Sequence, residues 1–219
     1  EKKRRIRETR VSGTRHLLEA LEKCEDAALL ISGSAVGYYG DRGEEKLTEE
    51  DSAGSGFLAE VCVEWEREAR RAERLGMRTV LLRTGMVLSA DGGALQKMLP
   101  PFKLGLGGKL GSGNQYMSWI HMADEVGLIL FALDSQISGP LNATAPEPVT
   151  NTEFTRQLSK QLHRPSLFRV PKVALRLAMG EMAEEVLLGG QRVYPRKATE
   201  AGYSFRFSAL SEALEDLLE

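Results

Sequence analysis

Cysteine, histidine, net charge and long apolar runs are all scarce in this chain, and each shortage excludes something. Two cysteines in 219 residues, Cys24 and Cys62, are too few for a disulfide framework, and both fall in helical patterns. They read as reduced core or near-core thiols of a cytoplasmic protein. Three scattered histidines, His16, His121 and His163, give no spacing from which a metal site can be read. With 29 Lys+Arg against 31 Asp+Glu and no basic tract, a nucleic-acid protein held by phosphate neutralisation is disfavoured. No apolar run approaches the ~20 residues of a membrane helix, and no segment reads as a signal peptide. An initiator Met is absent as well. The chain opens Glu1-Lys2-Lys3-Arg4-Arg5-Ile6 directly into a helical pattern, so its beginning is expected to be missing.

What is present suits one ordinary soluble domain: 42% of residues are apolar, enough for a core without staples. Residues 2–23 have helical periodicity, with Ile6, Val11, Leu17, Leu18 and Leu21 on one face. Gly13 interrupts it, which implies close packing there. Ala27-Ala28-Leu29-Leu30-Ile31, leading into Ser32-Gly33-Ser34, is a continuous apolar run of the kind found in a strand buried on both faces. Residues 40–56 are polar and Gly-rich, hence a loop. Residues 57–75 give the clearest helix, with Glu66 and Arg70 as a supporting surface pair and Gly76 as its stop. Thr79-Val80-Leu81-Leu82 is a second buried strand. Strand, helix, strand without a hairpin turn means a parallel crossover, so the class is α/β with a doubly wound parallel sheet. A short helix bent at Pro100-Pro101, a strand over residues 116–121, a helix over 122–133 and a strand over 139–145 follow. Thr150 or Asn151 caps a helix to about His163, and three more helices end at Met179, span 181–188 and close at Leu218. The expected division is a main domain over 1–145, a substrate-loop insertion at about 92–120, and a small α/β lobe over 146–219.

Ligands of open parallel sheets bind beyond the carboxyl ends of the strands. Two such ends carry small polar residues here, Ser32 to Gly40 and Arg83 to Leu88. Glycine admits a flat ligand to the backbone, and serine both donates and accepts; tight strand exits would use the same residues. Gly105, Gly108 and Gly111 match a Gly-x-x-Gly-x-x-Gly spacing. A Pro-Pro bend precedes them and Ser112-Gly113-Asn114-Gln115 follows, so no helix N-terminus is available for phosphate, and a lid or hairpin near a site is expected. His121 and Asp124 suit helix capping and a buried backbone contact better than a catalytic pair. Glu44, Glu45, Glu49, Glu50 and Asp51 read as a solvated loop. The basic start, Lys2 to Arg10, reads as a solvated helix face from which one arginine could reach a phosphate.

Together these residues resemble a known group. Ser32-Gly33-Ser34-Ala35-Val36-Gly37-Tyr38-Tyr39-Gly40 is similar to the Ser-Ser-x-x-Val-Tyr-Gly segment of extended short-chain dehydrogenase/reductases, the NAD-dependent epimerase/dehydratase superfamily. Arg10 to Thr14 resembles the helix before that strand, Leu81 to Leu88 the segment along the nicotinamide, and Trp119 to Glu125 the Ile-His-x-x-Asp element. Gly180-Glu181-Met182-Ala183, Leu187 to Pro195 and Ala201 to Arg206 resemble the subgroup of "epimerase family proteins" that end in a short domain of unknown function. The resemblance implies a Rossmann-like domain whose first strand and Gly-rich turn precede residue 1.

It further implies NADP or NAD as cofactor, NADP slightly preferred. Arg10 would reach a cofactor phosphate or ribose, and Ser32, Gly33 and Ser34 would flank the nicotinamide ribose. Thr84, Gly85, Met86 and Val87 would contact the carboxamide through backbone groups. Ser34 matches the catalytic Ser/Thr. The superfamily's Tyr-x-x-x-Lys pair, in which the lysine lowers the phenol pKa, is absent: every tyrosine lacks a lysine four residues on. Tyr38, Tyr39 and His121 remain as proton-transfer candidates. The resulting expectation is an NAD(P)-binding oxidoreductase or epimerase/dehydratase-like protein acting on a small molecule. A non-catalytic dinucleotide-binding or sensing module is the alternative, and a third reading is a dimer-forming scaffold, with helix 57–75 as the homodimer interface that the resemblance implies.

Overall fold

The structure, a computed structural model, describes residues 1–24, 26–180 and 187–219. Helix α1 (Lys2–Arg7) passes through a π-helical turn at Glu8–Ser12 into α2 (Gly13–Leu21). Then come β1 (Leu29–Ala35), β2 (Lys46–Leu47), α3 (Phe57–Ala69) with a 3-10 extension to Leu75, β3 (Arg78–Thr84) and β4 (Met86–Leu88). The middle of the chain holds α4 (Gly93–Lys103), β5 (Gly108–Leu110), β6 (Tyr116–Met117), β7 (Trp119–His121), α5 (Met122–Asp134) and β8 (Gly139–Ala143). The last part contains β9 (Val149–Thr150), α6 (Asn151–Gln161), β10 (Phe168–Val170), α7 (Lys172–Met179), β11 (Arg192–Val193), α8 (Arg196–Glu200) and α9 (Leu210–Leu218).

The centre is a parallel sheet in the order β1-β3-β8, with Ala35 opposite Thr84 and Thr84 opposite Ala143. Alternation along each strand sorts its side chains between two layers. Leu30 and Leu81 pack with Leu18 of α2 and Ala69 of α3. Leu29, Ile31, Val80, Leu82 and Leu141 pack with Leu128 and Ala132 of α5. The sheet is therefore wound on both faces, as expected. A separate core, built on Leu95, Trp119, Phe154, Leu158, Phe207 and Leu214, joins α4 to α6 and α9.

Several sequence expectations change. Among the described residues β1 is an edge strand, so Leu29 and Ile31 are only half-buried and Gly33 is exposed, whereas Thr79 to Arg83 of the flanked β3 are all buried. Nothing packs on Gly13; the helix accommodates the break as a π-helical turn instead. Cys62 is buried, but Cys24 lies beyond the end of α2 and is exposed. The loop after β1 contains β2, which pairs with β11. The expected helix at 181–188, and the Glu181, Met182 and Ala183 of the resemblance, fall outside the described residues over 181–186. Gly76 closes the α3 segment in a left-handed conformation (φ 80°), and the Thr150 hydroxyl caps α6 by accepting from Glu153 N–H at 3.2 Å.

Candidate active site at the carboxyl ends of β1 and β3

The register brings Ser32, Gly33 and Ser34 beside the end of β3, where Thr84, Gly85, Met86 and Val87 follow. Both small-residue strand ends therefore meet at one edge of the sheet. Gly85 is required by the backbone path, because a Cβ there would lie 2.5 Å from the Ser118 carbonyl. The N–H groups of Gly85 and Met86 are already used, donating to the carbonyls of Ala143 (2.9 Å) and Ser118 (2.7 Å).

Behind Ser34 lies a closed polar cluster. Its hydroxyl donates to Glu66 Oε1 at 2.7 Å. Arg83 makes a bidentate pair with the same carboxylate, at 2.8 and 2.9 Å, and is itself 2% exposed. The Arg83 guanidinium also lies 3.5 Å from the Tyr38 ring centroid and donates to the Tyr39 hydroxyl at 2.9 Å. Glu66 is thus the counter-charge of a buried arginine, and the surface pair expected with Arg70 does not form; Arg70 meets Glu73. Cys62 lies against Ser34 and the Ala35 backbone, and burial pushes its thiol up to about 11.

The three proton-transfer candidates separate. Tyr39 is fully enclosed: its hydroxyl oxygen accepts from Arg83, and its single proton lies within reach of Asn142 Oδ1 (2.7 Å) and the Thr48 carbonyl (2.9 Å). Burial pushes this phenol up to about 12. His121 caps α5, its Nδ1 accepting from Ala123 N–H at 3.0 Å, while its ring stacks on Phe207 and its Nε2 lies 3.3 Å from Asp216. Burial lowers its pKa. Asp124 holds the C-terminal segment, accepting from the N–H groups of Arg206 and Phe207 and from the Tyr203 hydroxyl. Only Tyr38 is half-buried beside Ser34's cluster with a hydroxyl that makes no hydrogen bond among the described residues.

Arg10 sits in the π-helical turn with its guanidinium over the Trp65 ring at 5.6 Å. Trp65 in turn closes on Gly33, where a Cβ would lie 3.0 Å from the indole. The glycine-spaced segment is no hairpin: Gly108 to Leu110 form β5, which pairs in parallel with β10. A cleft of about 160 Å³ is lined by Gly37, Gly40, Asp41, Ser55, Leu58 and Gln191 among others.

A profile of the NAD dependent epimerase/dehydratase family matches residues 1–143, and a domain of unknown function, DUF1731, matches residues 170–217. The chain belongs to the NAD dependent epimerase/dehydratase family. An epimerase family protein of Mycobacterium bovis is 47% identical over 213 residues, 97% of this chain and 70% of that protein. One from Arabidopsis thaliana, named as chloroplastic, is 40% identical and matched over 100% of this chain and 64% of its own length. Among solved structures, human epimerase family protein SDR39U1, in a complex with NADPH, superposes with a TM-score of 0.90 at 33% identity, covering 96% of this chain and 72% of that one. A nucleoside-diphosphate sugar epimerase from Corynebacterium glutamicum superposes at 0.80 with 38% identity, covering 99% and 43%.

Two carboxylates of the site have partners that the sequence did not suggest: Glu66, expected to pair with Arg70, holds Arg83, and Glu125 holds Thr84. Glu66 was identifiable as a carboxylate on the apolar stripe of Cys62 and Ala69. Glu125, in the first turn of α5, accepts from the Thr84 hydroxyl at 2.8 Å while its other oxygen is buried without a partner. Burial pushes its carboxyl up to about 7. Among the described residues no cluster of His, Cys, Asp or Glu suits a metal ion, and no helix is long and apolar enough to cross a membrane.

Proposed function

We propose that this protein is an NAD(P)-dependent oxidoreductase or epimerase/dehydratase-like enzyme for a small molecule, with NADP slightly preferred over NAD. The observation that carries the reading is the meeting of Ser32-Gly33-Ser34 with Thr84 to Val87 at adjacent strand ends, in a chain of this family. These residues fit the nicotinamide riboside. The orphaned Glu125 oxygen beside Thr84 is an unfilled hydrogen-bonding position where an amide or hydroxyl would sit. Ser32, Gly33 and Ser34 would flank the ribose, and Thr84 to Val87 the carboxamide. When bound, the dinucleotide supplies hydride-transfer chemistry.

Ser34 would meet the substrate oxygen as a hydrogen-bond acceptor, because its own proton is held by Glu66. Tyr38 is the group best placed to exchange a proton. The NADPH complex of SDR39U1 supports the cofactor choice. Cytoplasmic placement accords with two free thiols, Cys24 and Cys62. A homodimer through residues 57–75 is supported by the apolar side chains that this segment leaves uncovered, Val63 and Leu75.

Calorimetric titration of the native, full-length protein with NADPH and NADH tests the reading. Saturable binding, tighter for NADPH, is the expected result; absence of binding for both ends it. The alternative, a dinucleotide-sensing module, is favoured by the missing Tyr-x-x-x-Lys pair. Cofactor turnover with any sugar or steroid alcohol, abolished in Tyr38→Phe, would exclude that alternative.

A further inference from the structure

Arg192 of β11 lies opposite Lys46 of β2, and residues so paired project from the same face of a sheet. The Arg192 guanidinium stands 4.8 Å from the Tyr116 ring centroid and 5.8 Å from that of Tyr194, and the Lys46 ammonium 5.9 Å from Tyr194. The position is fixed by backbone. Val193 N–H donates to Ser118 Oγ at 3.0 Å, and Gly190 passes so close to Tyr116 that a Cβ would lie 2.5 Å from its nitrogen.

Six arginines of the described chain are at least partly withdrawn from solvent. Arg7, Arg42, Arg71 and Arg83 have carboxylate partners, and Arg78 donates to the carbonyls of Ala132, Leu133 and Ile137. Among the described residues Arg192 has neither kind of partner, and its Nε is buried without a hydrogen bond. Lys46, its cross-strand neighbour, has no carboxylate of the described residues within ion-pair distance either. Two like charges held side by side, one of them half-buried, leave a field that no described carboxylate compensates.

We propose that Arg192 and Lys46, walled by Tyr116 and Tyr194, form a binding subsite for the phosphate group of a small-molecule ligand. A planar fork beside a point charge suits a dianion with several acceptor oxygens better than a lone carboxylate. The subsite does not depend on the dinucleotide reading: the ring contacts of both residues are with Tyr116 and Tyr194, away from the hydrogen bonds of Ser34 and Thr84.

Titration of the native protein with inorganic phosphate at constant ionic strength, followed by calorimetry, reads the site directly. Saturable phosphate binding is expected, at least 10-fold weaker in Arg192→Gln, several-fold weaker in Lys46→Gln, and intermediate in Arg192→Lys. NADPH affinity should be unchanged in all three. Absence of saturable binding, or equal binding by Arg192→Gln, overturns the proposal. So does competition between phosphate and NADPH that persists in Arg192→Gln, since the phosphate would then occupy the cofactor site. Failure of NADPH binding with phosphate binding intact would sink the cofactor reading alone.

Discussion

Arg83 and Arg192 both stack on tyrosines, yet they sit in opposite electrostatic settings. Arg83 is enclosed with Glu66, Tyr38 and Tyr39, and every direction of its guanidinium meets a counter-charge, an acceptor or a ring. Arg192 has rings and a second cation around it, with no acceptor among the described residues. Burial of a charge is tolerable only when it is compensated within the fold or by something that binds. The first arginine is therefore part of the scaffold that orients Ser34, and the second is available to a ligand. Glu125 is a third case: it too lacks a counter-charge among the described residues and is more deeply buried than Arg192, but a carboxyl can neutralise itself by taking a proton.

The largest expected effect comes from breaking the compensated pair. Glu66→Ala leaves Arg83 charged and alone in the core and should cost about 3–5 kcal/mol, measured by urea denaturation. Replacing both partners by apolar residues, Glu66→Leu with Arg83→Met, should recover most of that loss. Ser34 would then lose its fixed acceptor, so the double variant should be folded while its hydroxyl is free to donate. If Glu66→Ala proves no less stable than a surface substitution, the contrast between the two arginines collapses.

The folded-state carboxyl of Glu125 titrates near 7, above the ordinary 4.5, so the folded protein holds a proton that the unfolded chain has already released. Its contribution is therefore largest below about 4.5 and is lost as pH rises to about 7. Glu125→Gln imitates the protonated form and should be the more stable protein above pH 7, by up to roughly 3 kcal/mol at 1.36 kcal/mol per unit. The difference between variant and parent cancels Glu49, whose carboxyl is also raised by burial and by the same sign. Parallel stability curves for the two proteins from pH 5 to 8 would show that Glu125 keeps its charge through a compensation of its own.

Continuous apolar runs revealed the layers, because a strand covered on both faces needs apolar residues at successive positions: Leu30 and Leu81 prove to face one layer, Leu29 and Val80 the other. Strand-end chemistry was legible for a similar reason, since Ser32 to Ser34 and Thr84 to Val87 are contiguous. Partnerships between distant residues were not. Glu66 looked like one half of a surface pair with Arg70, because an i,i+4 spacing is visible in a sequence and a contact with Arg83, across a strand, is not. Tyr38 and Tyr39 were indistinguishable as neighbours. Their separation into an open and an enclosed phenol depends on Asn142, Thr48 and Arg83, which only the fold brings together. The β2–β11 pairing joins a loop to a segment far along the chain, and no local pattern foretold it.

The smallest effect is the sharpest test of the comparison. Arg192→Gln removes cation–π contacts with Tyr116 and Tyr194 worth about 0.5–1 kcal/mol at a partly exposed site. It also relieves the cross-strand repulsion with Lys46, worth about 0.2–1 kcal/mol. The two nearly cancel, so stability without ligand should change by less than about 0.5 kcal/mol, although the same substitution at Arg83 would cost several times that. A loss above about 2 kcal/mol at Arg192 would mean that the rings need the cation for packing, as they do around Arg83. A stability difference that appears only when phosphate is added would instead place the missing counter-charge outside the polypeptide.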